Sequence, residues 1–167
     1  MTSRGLTVLG IDPGSRCMGF GLVHEESGRL SFVAAGTIRM SEQDMAVRMG
    51  RIFRELSGVI ETYAPGEAAM ESVFVGASVS SALKLGQARG AALAACSVGG
   101  LQVYAYAPTL VKKSLVGVGR AEKSQVAFMV GQALSCKEKL AADASDALAV
   151  AICHLNQKRF LKLSGLQ

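Results

Sequence analysis

Hydrophobic and polar positions change period along this chain, which predicts strands first and helices later. Leu6 to Ile11 is a short β-rich run stopped by Asp12-Pro13-Gly14, a turn sequence. Cys17 to Val23 and Leu30 to Ile38 read as two more strands joined through Ser27-Gly28, which predicts a three-stranded antiparallel meander. Ser41, with Asp44 three residues on in a capping-box spacing, predicts a helix start. Met45, Met49, Ile52, Phe53, Leu56, Val59 and Ile60 follow at helical period, and Pro65-Gly66 ends that helix. Ala68 to Val73 predicts a fourth strand, Ser80 or Ser81 opens a helix running to about Val98, and Val103 to Ala107 predicts a fifth strand cut off by Pro108. The rest reads as helices over Thr109–Val116, Ala121–Leu134 and Ala141–Leu155. This order is an α/β plan: a five-stranded mixed sheet in which the later strands lie parallel to the first through right-handed crossovers. We expect one domain over residues 1–157, followed by a short basic tail at 158–167.

Composition narrows the class. With 167 residues, half of them hydrophobic, the chain can build one core without disulfide help, and its 19% charged residues exclude a disordered polymer. Cys17, Cys96, Cys136 and Cys153 form no C-x-x-C pair, so they read as buried free thiols in a reducing cytoplasm. No signal-peptide pattern precedes Asp12. The charge-free stretch between Arg89 and Lys112 is interrupted by Gly99-Gly100, Gln102 and Pro108, so it reads as helix, turn and strand and not as a membrane span. The net charge of +5 is uneven: residues 1–83 carry net −2 and residues 84–167 carry net +7. That asymmetry predicts a surface in the second half that faces a polyanion. Half of the four carboxylates in this basic half nonetheless sit together, at Asp143 and Asp146.

The acidic residues supply the candidate chemistry. Asp12 ends the first strand and Glu71 ends the fourth; in a sheet where these are parallel neighbours, both emerge at the carboxyl edge, where ligands bind. Asp143 and Asp146 are three apart at the start of a helix and share a face. That helix is otherwise uncharged and apolar nearly all round, which predicts burial. Taken singly, Asp12 is a turn former and Asp143 a favourable helix-start charge. Glu71 resists that treatment, because a Glu in the run Ala69-Met70-Glu71-Ser72-Val73 opposes strand preference. Taken together, converging carboxylates need a cation, and all-oxygen donors point to Mg²⁺ or Mn²⁺. Two such ions about 3.5–4 Å apart are the usual clamp for displacement at phosphorus. The basic half offers a phosphate side: Gly117-Val118-Gly119-Arg120 leads into a helix start, with Lys112, Lys113, Arg120 and Lys123 close by. Aromatics are scarce, at 5%, which argues against a stacking platform for long single strands; Phe74 is the exception. His24 and His154 read as surface or core positions and not as ligands.

Several motifs follow one another along the chain: Gly10-Ile11-Asp12-Pro13-Gly14-Ser15-Arg16 with Gly19 and Gly21, then Glu71 with Phe74, and then Ala82-Leu83-Lys84-Leu85-Gly86-Gln87-Ala88-Arg89-Gly90. Gly117 to Val126 and Ala142-Asp143-Ala144-Ser145-Asp146-Ala147-Leu148-Ala149 complete the set. In this order, from about Leu6 to His154, they resemble the RuvC family of bacterial Holliday junction resolvases. The resemblance implies an RNase H-like fold, a homodimer, and a Mg²⁺-dependent endonuclease that nicks two strands of a four-way DNA junction symmetrically in recombination and repair, leaving 5′-phosphate and 3′-hydroxyl ends. It implies two ions per site, with Mn²⁺ able to substitute, and a RuvA–RuvB branch-migration complex as partner. By the same resemblance Asp12, Glu71, Asp143 and Asp146 match the metal-binding carboxylates. Lys112 and Lys123 match catalytic lysines that handle the phosphate, and Phe74 matches an aromatic that contacts a base at the opened junction. Lys84, Arg89, Lys113 and Arg120 are further expected DNA contacts. The run Val75-Gly76-Ala77-Ser78-Val79 departs from the family pattern, in which a Lys and an Asn follow this Phe.

Substrate symmetry demands a two-fold dimer for paired cuts. The helix from Ser80 to Val98 is a candidate interface through Ala82, Gly86, Gly90, Ala91, Ala94 and Ala95, although the same small residues also suit packing on the sheet. Two other classes stand beside this reading. A non-catalytic junction-binding module needs the basic half but not four acids. A sugar-kinase or actin-like ATPase also begins its first hairpin with Asp-x-Gly, but normally pairs two such domains, for which 167 residues leave no room.

Overall fold

Turn residues organise the first half of the sheet. Asp12 closes β1 (Leu6–Asp12), and the chain turns back into β2 (Cys17–Glu26). Ser27 and Gly28, both at positive φ (52° and 81°), form a two-residue hairpin into β3 (Arg29–Arg39). The remaining elements of this computed structural model, which describes residues 5–72 and 78–165, are α1 (Met45–Tyr63), β4 (Glu67–Glu71), α2 (Val79–Val98), β5 (Gln102–Tyr106), α3 (Pro108–Val116), α4 (Lys123–Leu134) and α5 (Ala142–Ser164). The sheet order is β3-β2-β1-β4-β5. The first three strands pair antiparallel, and β4 and β5 are parallel to β1. This is the RNase H-like mixed sheet expected from the sequence.

Alternation along the strands divides the core in two. Leu9, Ile11, Leu22 and Met70 meet the buried faces of α1 and α2 on one side. Val8, Val23 and Ala69 meet α3, α4 and α5 on the other. Because both faces are covered, the central strands read as nearly continuous apolar runs. Helix α5 is buried at Ala144 and Ser145 and again from Ala147 to Leu155, with only Asp146 between them reaching the cleft, as its apolar character predicts.

Several boundaries differ from the sequence reading. Helix α1 is capped by Asp44, not Ser41: the Val47 amide donates to Asp44 Oδ1 at 3.0 Å, and the helix begins at Met45. Helix α4 starts at Lys123 instead of Ala121, with the Glu122 amide donating to Gln125 Oε1 at 2.9 Å. Helix α5 does not stop at Leu155. No Gly or Pro interrupts it until Gly165, whose φ of 66° ends it, so Lys158, Arg159 and Lys162 lie on helix and not on a loose tail. All four cysteines are free, but Cys17 and Cys136 are only half-buried while Cys96 and Cys153 are buried. Among the described residues no helix is long and apolar enough to cross a membrane, and the charge-free stretch after Arg89 is divided between α2 and β5.

Glycines decide how close α5 comes. A Cβ on Gly10 would lie 2.0 Å from the Ala147 carbonyl oxygen, and one on Gly19 would lie 1.9 Å from that of Asp143. Gly10 pairs with Gly21, and Asp12 pairs with Gly19, across the β1–β2 ladder. The missing side chains let the α5 backbone rest directly on the sheet, with its first turn beside Asp12.

Candidate active site

The parallel register of β1 and β4 sets Ile11 against Met70, so the next residues, Asp12 and Glu71, leave the sheet together at its carboxyl edge. Helix α5 starts above that edge and brings Asp143 in its first turn and Asp146 one turn on. Asp12, Glu71 and Asp146 line an open cleft of about 190 Å³ with Lys112 from α3 and Lys123 from the start of α4. Pro108, Val111 and Val126 form its apolar wall.

The electrostatics are those of an overcrowded acidic rim. Burial, and then the charges of Asp146, Glu71 and Asp143, push the Asp12 carboxyl up from its ordinary 3.8 to about 7, against the pull of Lys123. Glu71 is also raised, first by burial and then by Asp146, with Lys123 and Lys112 opposing. Lys123 Nζ donates to Asp146 Oδ2 at 3.2 Å, and this partner raises the lysine. The pair is loosely held, since the Lys123 side chain is 82% exposed and that of Asp146 24%. Asp143 lies at the margin of the cleft, beside Cys17. That thiol is raised by burial and then by its hydrogen bond with Asp143.

Of the positions expected from the sequence, Asp12, Glu71, Asp146, Lys112 and Lys123 converge, and the charge of Asp143 reaches them from the edge. Lys113 does not join them. It points from α3 toward Asn156 and Phe160 of α5, in a separate groove. Arg120 is exposed on the turn between α3 and α4. Lys84 is exposed on α2, and Arg89 is half-buried there with a buried Nε that has no partner among the described residues. Phe74 lies outside the described residues. His24 bonds Thr7 at 2.9 Å and His154 is buried, so neither reaches the rim. Cys17 was missed as a neighbour of Asp143; its place directly after the turn that Asp12 opens was the available signal.

The donor set is all oxygen, which suits a hard divalent cation. Among the described residues no three His, Cys, Asp or Glu side chains are gathered tightly enough to hold an ion as they stand. The carboxylates repel one another, and Asp146 accepts a hydrogen bond from Lys123 as the site stands.

The family model for "Crossover junction endodeoxyribonuclease RuvC" matches residues 8–154 of this chain, a span that contains the whole rim. The chain belongs to the RuvC family. The RuvC of Solidesulfovibrio magneticus is 57% identical over 159 residues, covering 95% of this chain and 94% of that one. A RuvC of Nitratidesulfovibrio vulgaris is 52% identical over 161 residues, covering 96% and 97%. Among solved structures, the Thermus thermophilus RuvC in complex with Holliday junction substrate superposes with a TM-score of 0.87 at 35% identity, covering 93% of this chain and 96% of that one.

Proposed function

We propose that this chain is a structure-selective endonuclease that resolves four-way DNA junctions by nicking two strands symmetrically. The observation that carries the reading is the meeting of Asp12, Glu71 and Asp146 with Lys112 and Lys123 in one open cleft at the carboxyl edge of the sheet. Family membership supports nuclease activity. The carboxylates support the finer reading, in which Asp12, Glu71, Asp143 and Asp146 bind Mg²⁺, two ions per site, with Mn²⁺ able to replace it. Bound there, the metal supplies Lewis-acid activation of water and charge neutralisation at the scissile phosphate.

The chain's own residues do the rest. Asp12 must be deprotonated to act as a ligand, so its raised pKa makes the site assemble with proton release. Lys123 neutralises Asp146 in the free protein and, once released, is a mobile cation at the cleft mouth for the phosphate. Lys112 faces Glu71 from α3 and supplies a second positive charge. Pro108, Val111 and Val126 exclude water from one wall. Products with 5′-phosphate and 3′-hydroxyl ends follow from the family reading. Phe74 is proposed to contact a base at the junction centre, and Lys84, Arg89, Lys113 and Arg120 to contact DNA outside the cleft.

Symmetric cutting requires two copies, and α2 offers the surface. Ala88, Ala92, Ala95 and Cys96 face the core, so Ala95 is removed from the expected interface. The opposite stripe of Val79, Leu83, Gly86 and Gly90 is exposed, and a Cβ at either glycine would meet nothing within 4 Å. A homodimer through this stripe, a RuvA–RuvB partner, a cytoplasmic location and a single domain that includes the whole of α5 complete the proposal. The test is cleavage of an end-labelled synthetic four-way junction in Mg²⁺, beside a linear duplex of equal length and an Asp12→Asn control. Paired nicks confined to the junction and lost in the control support the reading. Tight binding without cleavage in Mg²⁺ or Mn²⁺ refutes it in favour of a binding module.

A further inference from the structure

Two to three turns below the rim, α5 makes a second polar contact with the sheet. His154 is 1% exposed. Tyr106 Oη lies 2.6 Å from His154 Nδ1, and His154 Nε2 lies 2.7 Å from Glu67 Oε2. Lys158 Nζ donates to the other oxygen, Glu67 Oε1. The ring of Tyr104 packs against His154 with centroids 4.6 Å apart. One pattern of protons satisfies this chain. The Glu67 carboxylate only accepts, so His154 Nε2–H donates to it and Nδ1 accepts from the Tyr106 hydroxyl. Burial would push Glu67 up, but the hydrogen bonds from Lys158 and His154 outweigh it and hold it below the usual range. Burial lowers His154, which keeps the ring neutral, and raises Tyr106 to about 12, which keeps its proton on.

The placement of this chain is what gives it meaning. Glu67 and Glu71 are the two ends of β4, four residues and so about 13 Å apart on one face. Asp146 and His154 are eight residues apart on α5, about 12 Å along its axis. Strand and helix therefore face each other at two points with matching spacing, held by hydrogen bonds at one end and carrying mutually repelling carboxylates at the other. Between them the seam is largely small, with Gly10, Ala69, Ala147 and Ala151 allowing close approach and Val150 the one larger side chain midway between Asp146 and His154. Tyr106 ties the two ends together. It pairs with Glu71 across the β4–β5 ladder, and its carbonyl accepts from the Ser72 amide at 2.7 Å, while its hydroxyl holds α5.

We propose that the Lys158–Glu67–His154–Tyr106 chain is a positioning device that sets the register of α5 against β4 and β5, so that Asp143 and Asp146 stand opposite Asp12 and Glu71. The inference rests on the metal-site reading above. None of the four residues touches the reacting atoms; they act through the placement of the acids.

The experiment compares wild type, Tyr106→Phe, His154→Gln and Lys158→Met, with Asp12→Asn as reference. Melting temperature is measured in chelator and then through a Mn²⁺ titration, and junction binding is measured in chelator. Tyr106→Phe and Lys158→Met are expected to fold and to bind the junction as wild type does. Their half-saturating Mn²⁺, read from the melting shift, is expected to rise about tenfold, the low end of what loss of outer-shell support costs a metal site. His154→Gln, which retains a donor toward Glu67, is expected to fall between these variants and wild type. Lower melting temperatures with wild-type Mn²⁺ half-saturation in Tyr106→Phe and Lys158→Met would overturn the proposal and leave the chain a purely structural element. If wild type itself shows no Mn²⁺ shift beyond that of Asp12→Asn, it is the metal-site reading that fails.

Discussion

Replacing Asp12 with Asn removes one negative charge from the rim while keeping the shape of the side chain, and the effect on stability without metal can be worked out. In the unfolded chain Asp12 ionises near its ordinary 3.8, and in the folded protein near 7. Between these values the folded protein holds a proton that the unfolded chain has lost, so this group's contribution to stability falls as pH rises through that window. Below the window both states are protonated and the penalty is absent; above it the penalty is complete. At about 1.4 kcal/mol for each tenfold change in proton affinity, the full span corresponds to about 4 kcal/mol. Solvent on the open side of the cleft screens part of this, leaving about 2–3 kcal/mol near pH 8. For a chain of this size that is ~5–10 °C of melting temperature. Asp12→Asn is therefore expected to melt above wild type in chelator near pH 8, with the gap narrowing toward pH 5. Excess Mg²⁺ should narrow it too, because only wild type gains fully from the ion. Differential scanning calorimetry across this pH series measures both effects. A variant that melts at or below wild type in chelator near pH 8 would refute the account of the rim as a strained acidic cluster.

Asp146→Asn removes the largest charge acting on Asp12 and Glu71, so it too is expected to raise the chelator melting temperature while abolishing junction cleavage; a melting temperature at or below wild type counts against the repulsion argument. Lys123→Ala deletes the cation that holds Asp12 down, and the alkaline shift this causes should appear as a cleavage–pH profile whose acidic limb moves to higher pH. Gly10→Ala drives a methyl group into the Ala147 carbonyl, and denaturant unfolding should report a loss of several kcal/mol, about 3 or more, typical of overpacking against backbone that cannot move aside. Gly86→Arg on the exposed face of α2 is expected to leave the melting temperature within about 2 °C, as at open surface positions, yet to turn a dimer into monomers in analytical ultracentrifugation.

What the sequence made legible followed local chemistry. The meander was readable because Asp12-Pro13-Gly14 and Ser27-Gly28 are turn chemistry with a fixed length. The rim was readable because strand ends in a parallel sheet place Asp12 and Glu71 on one edge. The Ser41 cap failed for a reason just as local: Ser41 and Asp44 have capping-box spacing, but it is the Asp44 carboxylate that reaches the Val47 amide. Lys112 and Lys113 are adjacent in sequence and turned about 100° apart on a helix, so only one can enter the cleft. Lys84 and Arg89 share the positive charge of the second half but sit on α2, which packs on the face of the sheet opposite α5. Net charge carries no record of which face a crossover helix takes. The contact between Glu67 and Lys158 joins residues 91 positions apart and leaves no trace in any local window.

The glycines beneath α5 also bear on the order in which the molecule is made. Gly10 and Gly19 receive the backbone of residues 143–151, so the earliest strands of the chain close their surface only against its last helix. Contacts of such long sequence separation are slow to form, because the loop between them must be closed before they contribute. While the meander and α1 stand without α5, that face of the sheet is bare and exposes apolar surface at Val8 and Val23. Asp12 emerges early and Asp146 late. A chain that ends before α5 therefore carries Asp12 and Glu71 without Asp143 and Asp146, and the acidic rim is incomplete.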